Sequence, residues 1–481
     1  MSWIIFSLII YVIILILVCI RIISETIHSN KVLAYLLFCL FIPVVGILFY
    51  LAFGINYWRK RKYNKKQKAD AGSMQHLKAN VQQYDEVSVN AKDVSVQQNI
   101  ELASMLLKDL GNPLTGNNSV KLLLNGEQKF PEMLGAIAAA KHHIHLEYYI
   151  YECDEIGTQL IELLIKKAKE GVEVRFIYDD FGSPTIKKKI EKEMRQAGIE
   201  IFPFHKVRFY LLANRINYRN HRKIMVIDGC TAFVGGINVS DKYINNGKHK
   251  LFWRDTHIRL DGPGVYYLQY LFFTDWNFCC GGEFIASPVY FPMIEKSSNN
   301  SFVQVAASGP DSYEPSVMYA ILQAIYLAKE EILITTPYFI PGDSIMDALR
   351  IAALSGLKVK LLVPGICDSK LVNAASQSNF SPLLQAGVEI YLYQKGFVHA
   401  KTMITDQKLV VVGTANMDYR SFELNFEVNT IIYDSAIARQ LRQVFFDDLE
   451  DSLPVNKDQW LCRPWYTQFP EKLAKLFSPV L

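Results

Sequence analysis

Two stretches decide how this chain folds: His221-Arg-Lys223-Ile-Met-Val-Ile-Asp228 and His399-Ala-Lys401-Thr-Met-Ile-Thr-Asp406. Each is followed, after six residues, by a turn ending in asparagine: Gly235-Gly236-Ile-Asn238 in the first and Gly413-Thr414-Ala-Asn416 in the second. A lone histidine on an apolar strand is ordinarily a core residue, and a lone His-x-Lys carries little information. One match to all five fixed positions arises by chance on the order of once in 10,000 chains of this composition. Two matches, 178 residues apart, call for a common cause.

That cause lies in the flanking sequence, which repeats at nearly the same offset. Ala136-Ile-Ala-Ala-Ala-Lys141 returns as Ala324-Ile-Tyr-Leu-Ala-Lys329, and Glu170-Gly-Val-Glu-Val174 as Ser355-Gly-Leu-Lys-Val359. The pattern reads helix (Pro131 to Lys141), strand (Ile144 to Tyr151), helix (Gly157 to Lys169), strand (Val172 to Asp179). It reads again as helix (Glu314 to Lys329), strand (Ile332 to Tyr338), helix (Ser344 to Leu354), strand (Lys358 to Val363). Alternating strands and helices argue for α/β layers. A repeat of this length is a duplicated domain and not a solenoid array. The halves run over 119–290 and 300–481, parted by a Ser-, Pro- and Asn-rich stretch near 286–303.

Within each motif, residues two apart on a strand share a face, so His and Lys can reach one phosphate together. Imidazole titrates near neutrality and is nucleophilic, so it can attack phosphorus or carry a proton. Ammonium stabilises a phosphoryl oxyanion. Glycine lets the backbone approach closely, and the Asn238 and Asn416 amides add neutral donors for the remaining phosphate oxygens. The catalytic set is therefore His221, Lys223, Asp228, His399, Lys401 and Asp406, with Asp228 and Asp406 expected to hold the motif turn. The lysines supply the charge a divalent ion would otherwise give, so no metal or other cofactor is called for.

The N-terminal region reads differently. Trp3 to Ile20 and Val32 to Phe53 are apolar runs long enough to cross a hydrocarbon core, giving spans at about 3–22 and 32–53 within a unit 1–58. Met-Ser-Trp lacks the basic start of a cleaved signal peptide. Seven basic and no acidic residues fall in 59–68, directly after Tyr57 and Trp58, while the 21–31 connector holds two basic and one acidic. The positive-inside rule then places both ends of the hairpin, and the catalytic halves, in the cytoplasm. The same run suits a surface of anionic lipid. Those seven charges exceed the whole formal excess of +4, leaving a slightly acidic body, which argues against nucleic acid as a partner. Residues 59–118 read as a polar linker with a short helix around Val96 to Leu110. The eight cysteines are scattered without zinc spacing and fit a reducing compartment.

The paired motifs resemble the signature of the phospholipase D superfamily: HxK, four residues, Asp, six residues, Gly-Ser-x-Asn. This chain departs at the Ser position, where Gly236 and Thr414 stand. The resemblance narrows to bacterial cardiolipin synthases through Asp179-Asp-Phe-Gly-Ser183, Asn220-His-Arg-Lys223, Trp253-Arg-Asp-Thr-His257, Ser308-Gly-Pro-Asp311, Thr336-Pro-Tyr-Phe-Ile-Pro341, Asn416-Met-Asp-Tyr-Arg-Ser-Phe-Glu-Leu-Asn-Phe-Glu427 and Ser478-Pro-Val-Leu481.

The resemblance implies two tandem phospholipase D-like α/β sandwich domains that form one shared active site behind an N-terminal transmembrane helical hairpin. It implies a ping-pong exchange between two phosphatidylglycerol molecules, giving cardiolipin and glycerol through a phosphatidyl-histidine. His221 would be the nucleophile and His399 the acid and base, with Asp255 and Glu427 orienting the histidines. The neighbouring readings are a phospholipase D-type hydrolase, a phosphatidyltransferase with another acceptor alcohol, a nuclease and a non-catalytic scaffold.

Overall fold

Two copies of one strand arrangement meet back to back along their first strands. The computed structural model describes residues 2–25, 29–50, 93–204, 218–281, 287–294 and 300–478. The basic run 59–68, residues 51–53 of the second apolar run, most of the linker, parts of the boundary between the halves and residues 479–481 lie outside the described residues.

The first half carries β1 (Thr115–Leu124), β2 (His143–Tyr148), β3 (Glu173–Asp179), β4 (Glu200–Phe204), β5 (Lys223–Ile227), β6 (Thr231–Gly235), β7 (Phe252–Arg254) and β8 (Thr256–Asp261). The second carries β9 (Ser301–Ser308), β10 (Glu331–Thr335), β11 (Phe339–Ile340), β12 (Lys358–Pro364), β13 (Glu389–Tyr393), β14 (Gly396–Val398), β15 (Thr402–Thr405), β16 (Leu409–Gly413), β17 (Met417–Asp418), β18 (Glu427–Tyr433) and β19 (Ser452–Pro454). Outward from the junction the first half runs β1-β8-β6-β5-β2-β3-β4, and the second repeats it as β9-β18-β16-β15-β10-β12-β13, with β19 added at the edge. β1 pairs with β8 along most of its length and with β9 at its start, across a shift in register.

β2, β3 and β4 are parallel, as are β10, β12 and β13, because a helix crosses over between successive strands. The inner strands β2, β3 and β10 are buried almost throughout, whereas β4 and β13 nearer the edges are partly exposed. Each half buries its own apolar cluster, around Leu146, Phe176 and Met225 in the first and Ile334, Leu361 and Met403 in the second.

Several boundaries differ from the sequence reading. The helix expected from Pro131 begins at Asn125, six residues earlier, because Asn125 is tied to the Asp255 backbone through both its main chain and its side chain, each at 3.0 Å. The strand expected through Tyr151 stops at Tyr148, since the Ile150 N–H donates to Asn238 Oδ1 instead of a ladder partner. Likewise β10 stops at Thr335. The linker helix is split into Val94–Gln97 and Ile100–Leu110.

The N-terminal helices form a separate unit. Helix Ser2–Glu25 contains an apolar stretch, Ile5–Ser24, long enough to cross a membrane. The second run, expected as one helix over 32–53, is Ser29–Phe41 followed by Pro43–Phe49, broken at Ile42. Pro43 lacks the N–H that would continue the ladder, and its ring disfavours helical geometry at the preceding residue. Val18, Ile22, Cys39, Ile47 and Tyr50 pack together, while Ile5, Leu8, Leu17, Leu37 and Val44 face outward.

Candidate active site

Backbone pairing between the halves fixes the two motif histidines. β14 runs parallel to β7, and the His399 N–H donates to the Arg254 carbonyl at 2.7 Å. In the equivalent place Asn220 bridges Phe426, and the His221 N–H donates to the Phe426 carbonyl at 3.0 Å. Each motif histidine is thereby fixed beside the residue preceding a carboxylate of the opposite half. The carboxylates are Asp255 and Glu427, and they act crosswise. His221 Nδ1 meets Glu427 at 2.9 and 3.1 Å, and His399 Nδ1 meets Asp255 at 2.8 Å. An ionised carboxylate only accepts, so each histidine carries its proton on Nδ1 and leaves Nε2 for chemistry. Both carboxylates are fully buried, whereas the His221 and His399 rings keep 12% and 11% of their surface, enough to be reached by a ligand.

The histidines stand just ahead of β5 and β15 and not within them. Lys223 Nζ donates to the His221 carbonyl at 2.7 Å, and Lys401 Nζ donates to the His399 carbonyl and lies 2.8 Å from its Nδ1. Burial lowers Lys223 to about 7 and Lys401 to about 8, against partial compensation from Glu427 and Asp255 respectively. Burial, reinforced by Lys401, pushes His399 down to about 3; burial also lowers His221, with Glu427 opposing. Burial works to raise the two carboxylates, but the adjacent histidine and lysine outweigh it and hold both below their ordinary range. His221 feels the charge of Lys401 and His399 that of Lys223, so the two constellations share one electrostatic site. Two buried ammonium groups in one site favour a neighbouring anion.

The two halves hold their carboxylates differently. Thr414 donates its hydroxyl to Glu427, and Asn425 Nδ2 adds a bond at 3.2 Å. In the first half a Cβ on Gly236 would stand 2.1 Å from Asp255 Oδ1. The shorter Asp255 therefore occupies the space that the Thr side chain fills in the other half, and takes the Thr256 N–H at 2.7 Å.

Asp228 and Asp406 sit apart from the reacting groups, at the far end of their strands, five residues or about 16 Å beyond the motif lysine. Asp228 accepts the N–H groups of Lys141, His142 and His143 at 2.8 to 2.9 Å, and Asp406 those of Lys329, Glu330 and Glu331 at 2.7 to 3.1 Å. Both adopt left-handed backbone, φ 50° and 51°, which Asp tolerates in a tight turn. Asn238 spans Ile150 N–H (3.0 Å) and Tyr243 Oη (3.3 Å). The Asn416 main-chain N–H donates to Ser421 Oγ at 3.1 Å, and the buried Asn416 Oδ1 has no partner among the described residues.

Further groups frame the histidines. Tyr149 meets the His221 ring edge-on at 5.0 Å, and Trp253 and Phe397 lie 5.1 and 5.8 Å from His399. Asn220, beside His221, donates to Glu147, whose carboxyl is pushed well up by burial and by the neighbouring Asp275. Tyr149 follows directly after β2, two residues beyond Glu147.

The fold and site define a protein of two like α/β halves that bring two crosswise His–carboxylate pairs together. The family described as cardiolipin synthase, phospholipase D-like domain, matches residues 133–254 and 321–449. The chain is 41% identical to the major cardiolipin synthase ClsA of Bacillus subtilis (strain 168) over 93% of both chains. It is 39% identical to the cardiolipin synthase of Alkalihalophilus pseudofirmus, over all of this chain and 95% of that one. A solved phosphatidylserine synthase from Haemophilus influenzae Rd KW20 shares the fold, with TM-score 0.57 at 13% identity over 75% of this chain and 95% of its own. The chain belongs to the cardiolipin synthase family of phospholipase D-like phosphatidyltransferases.

Proposed function

We propose that this phosphatidyltransferase takes phosphatidylglycerol as both donor and acceptor, with His221 as the nucleophile. His221 Nε2 attacks the donor phosphorus, the bond to the headgroup glycerol breaks, and His399 Nε2 protonates the departing alkoxide. His399 then takes the proton from a hydroxyl of a second phosphatidylglycerol, whose oxygen attacks phosphorus and displaces His221. Cardiolipin and glycerol leave, and no phosphodiester bond is lost.

Lys223 and Lys401 neutralise the equatorial oxygens as charge builds, with Asn238 and Asn416 beside them. Glu427 and Asp255 stabilise the imidazolium of the histidine each one faces. His399 begins neutral in the empty site. The phosphodiester anion between the lysines raises its basicity, so it acquires its proton with the substrate. The observation that carries this reading is the crosswise His–carboxylate pairing, which makes a single site out of two motifs. At the membrane, both N-terminal apolar segments span, and the basic run after residue 58 keeps the catalytic halves in the cytoplasm on anionic lipid.

Purified protein incubated with phosphatidylglycerol alone, beside His221→Ala, tests the proposal. Cardiolipin and glycerol in equal amounts, absent in the variant, are expected. Phosphatidic acid and glycerol without cardiolipin would make water the acceptor.

A further inference from the structure

The helix Trp465–Lys475 is amphipathic the wrong way round for a helix facing water. Its inward face is polar or small: Gln468, Glu471 and Ala474. Glu471 is buried in a two-pronged ion pair with Arg463, at 2.7 and 2.9 Å, and Gln468 Nε2 donates to the Arg463 carbonyl at 2.6 Å. Its outward face holds Trp465, Phe469 and Leu473, continued by Leu476 in the next turn, at spacings that form one stripe; Trp465 and Leu476 are 75% and 74% exposed. Tyr466 and Phe477 flank the stripe and are also exposed, as are Lys472 and Lys475. A contiguous exposed apolar strip of this kind is uncommon on a monomeric soluble surface and marks a binding face.

We propose that this helix lies in the headgroup layer of an anionic bilayer and docks the catalytic body there. The composition selects lipid: Trp and Tyr suit the interface between headgroups and acyl chains, Phe and Leu the acyl boundary, and the two lysines anionic headgroups. The chain already carries an apolar helix of membrane-spanning length and acts on phospholipid. The attachment also lies close to the chemistry. Ala474 packs with Ile340 and Ala375. Ala375 belongs to helix Lys370–Gln377, whose Asn373 and Ser376 line a small cavity with Tyr338 and Phe397. Phe397 in turn lies against His399. Two packed layers thus connect the lipid-facing stripe to the acid–base histidine.

The full-length protein in vesicles of phosphatidylglycerol and phosphatidylethanolamine, with lipids brominated just below the headgroup, provides the test. Tryptophan quenching in wild type should exceed that in Trp465→Phe, the difference reporting residue 465 alone. Phe469→Ser/Leu473→Ser/Leu476→Ser should lower turnover on vesicles about tenfold while leaving turnover of monomeric short-chain lipid unchanged. The quenching does not depend on which headgroup is exchanged, so it can fail independently of the phosphatidylglycerol reading. Equal quenching in wild type and Trp465→Phe, with residue 465 open to aqueous iodide, would overturn the proposal. So would a triple variant that loses self-association in detergent while its vesicle turnover stays at the wild-type level, since the stripe would then be a face for a second copy of the chain.

Discussion

The two halves of the active site reach one arrangement with different side chains. Around His221 the carboxylate is Glu427, steadied by the Thr414 hydroxyl; around His399 it is Asp255, lying against the bare Gly236. One methylene more on the acid goes with a side chain at the turn, and one fewer goes with none. What both halves preserve is the position of the carboxylate against Nδ1, and the residues that supply it vary as a pair. The missing hydroxyl at Gly236, conspicuous in the sequence, is thus the room Asp255 needs.

The strongest way to break this equivalence is to remove the negative charges one at a time. Glu427→Gln and Asp255→Asn should each lower kcat by about 10²–10⁴-fold with KM little changed, because the imidazolium loses its counter-charge and its tautomer is no longer imposed. A steady-state rate series on both variants checks it; a large loss in one half alone would show that the two carboxylates do different work. The paired side chains come next. Gly236→Ala should cost about 10–100-fold by displacing Asp255, and Gly236→Thr/Asp255→Glu, which transplants the other half's solution, should recover part of that loss.

A pH series separates chemistry from stability. Lys223 and Lys401 are depressed to about 7 and 8, so kcat/KM for the anionic substrate should fall as pH rises through 7–8 and the ammonium charges are lost. Stability should move the other way. Between about 7 and the ordinary lysine value near 10.4 the unfolded chain holds more protons than the native one, so the empty enzyme gains stability with rising pH. Parallel activity and thermal-melt profiles check both signs. The smallest catalytic effect belongs to Asp228→Ala and Asp406→Ala, which remove three charge-assisted hydrogen bonds each. Calorimetry should show about 2 kcal/mol of destabilisation, with kcat nearly unchanged.

The motif pairs, the duplication and the strand alternation were legible because each is local: a spacing, a repeat offset, a hydrophobic period. That Glu427 and Asp255 stand near the histidines was legible, but their crossing was not, since it depends on β7 pairing with β14 and Asn220 with Phe426, contacts between residues more than 140 positions apart. The early start at Asn125 escaped for the same reason, as its cause lies 130 residues away in Asp255. The break at Ile42 had a local signal in Pro43, outweighed in the reading by the length of the apolar run. The inverted helix at Trp465–Lys475 escaped because which face of a helix is inward is decided by what it packs on.

In the proposed mechanism one histidine carries the phosphatidyl group while its counterpart moves the proton. Rapid quenching of full-length enzyme with phosphatidylglycerol labelled in its phosphate, followed by peptide mapping under alkaline conditions, tests it most directly. Transient label is expected on His221, with none on His399 and none in His221→Ala. Label on His399, or turnover of His221→Ala with no covalent species, would contradict it.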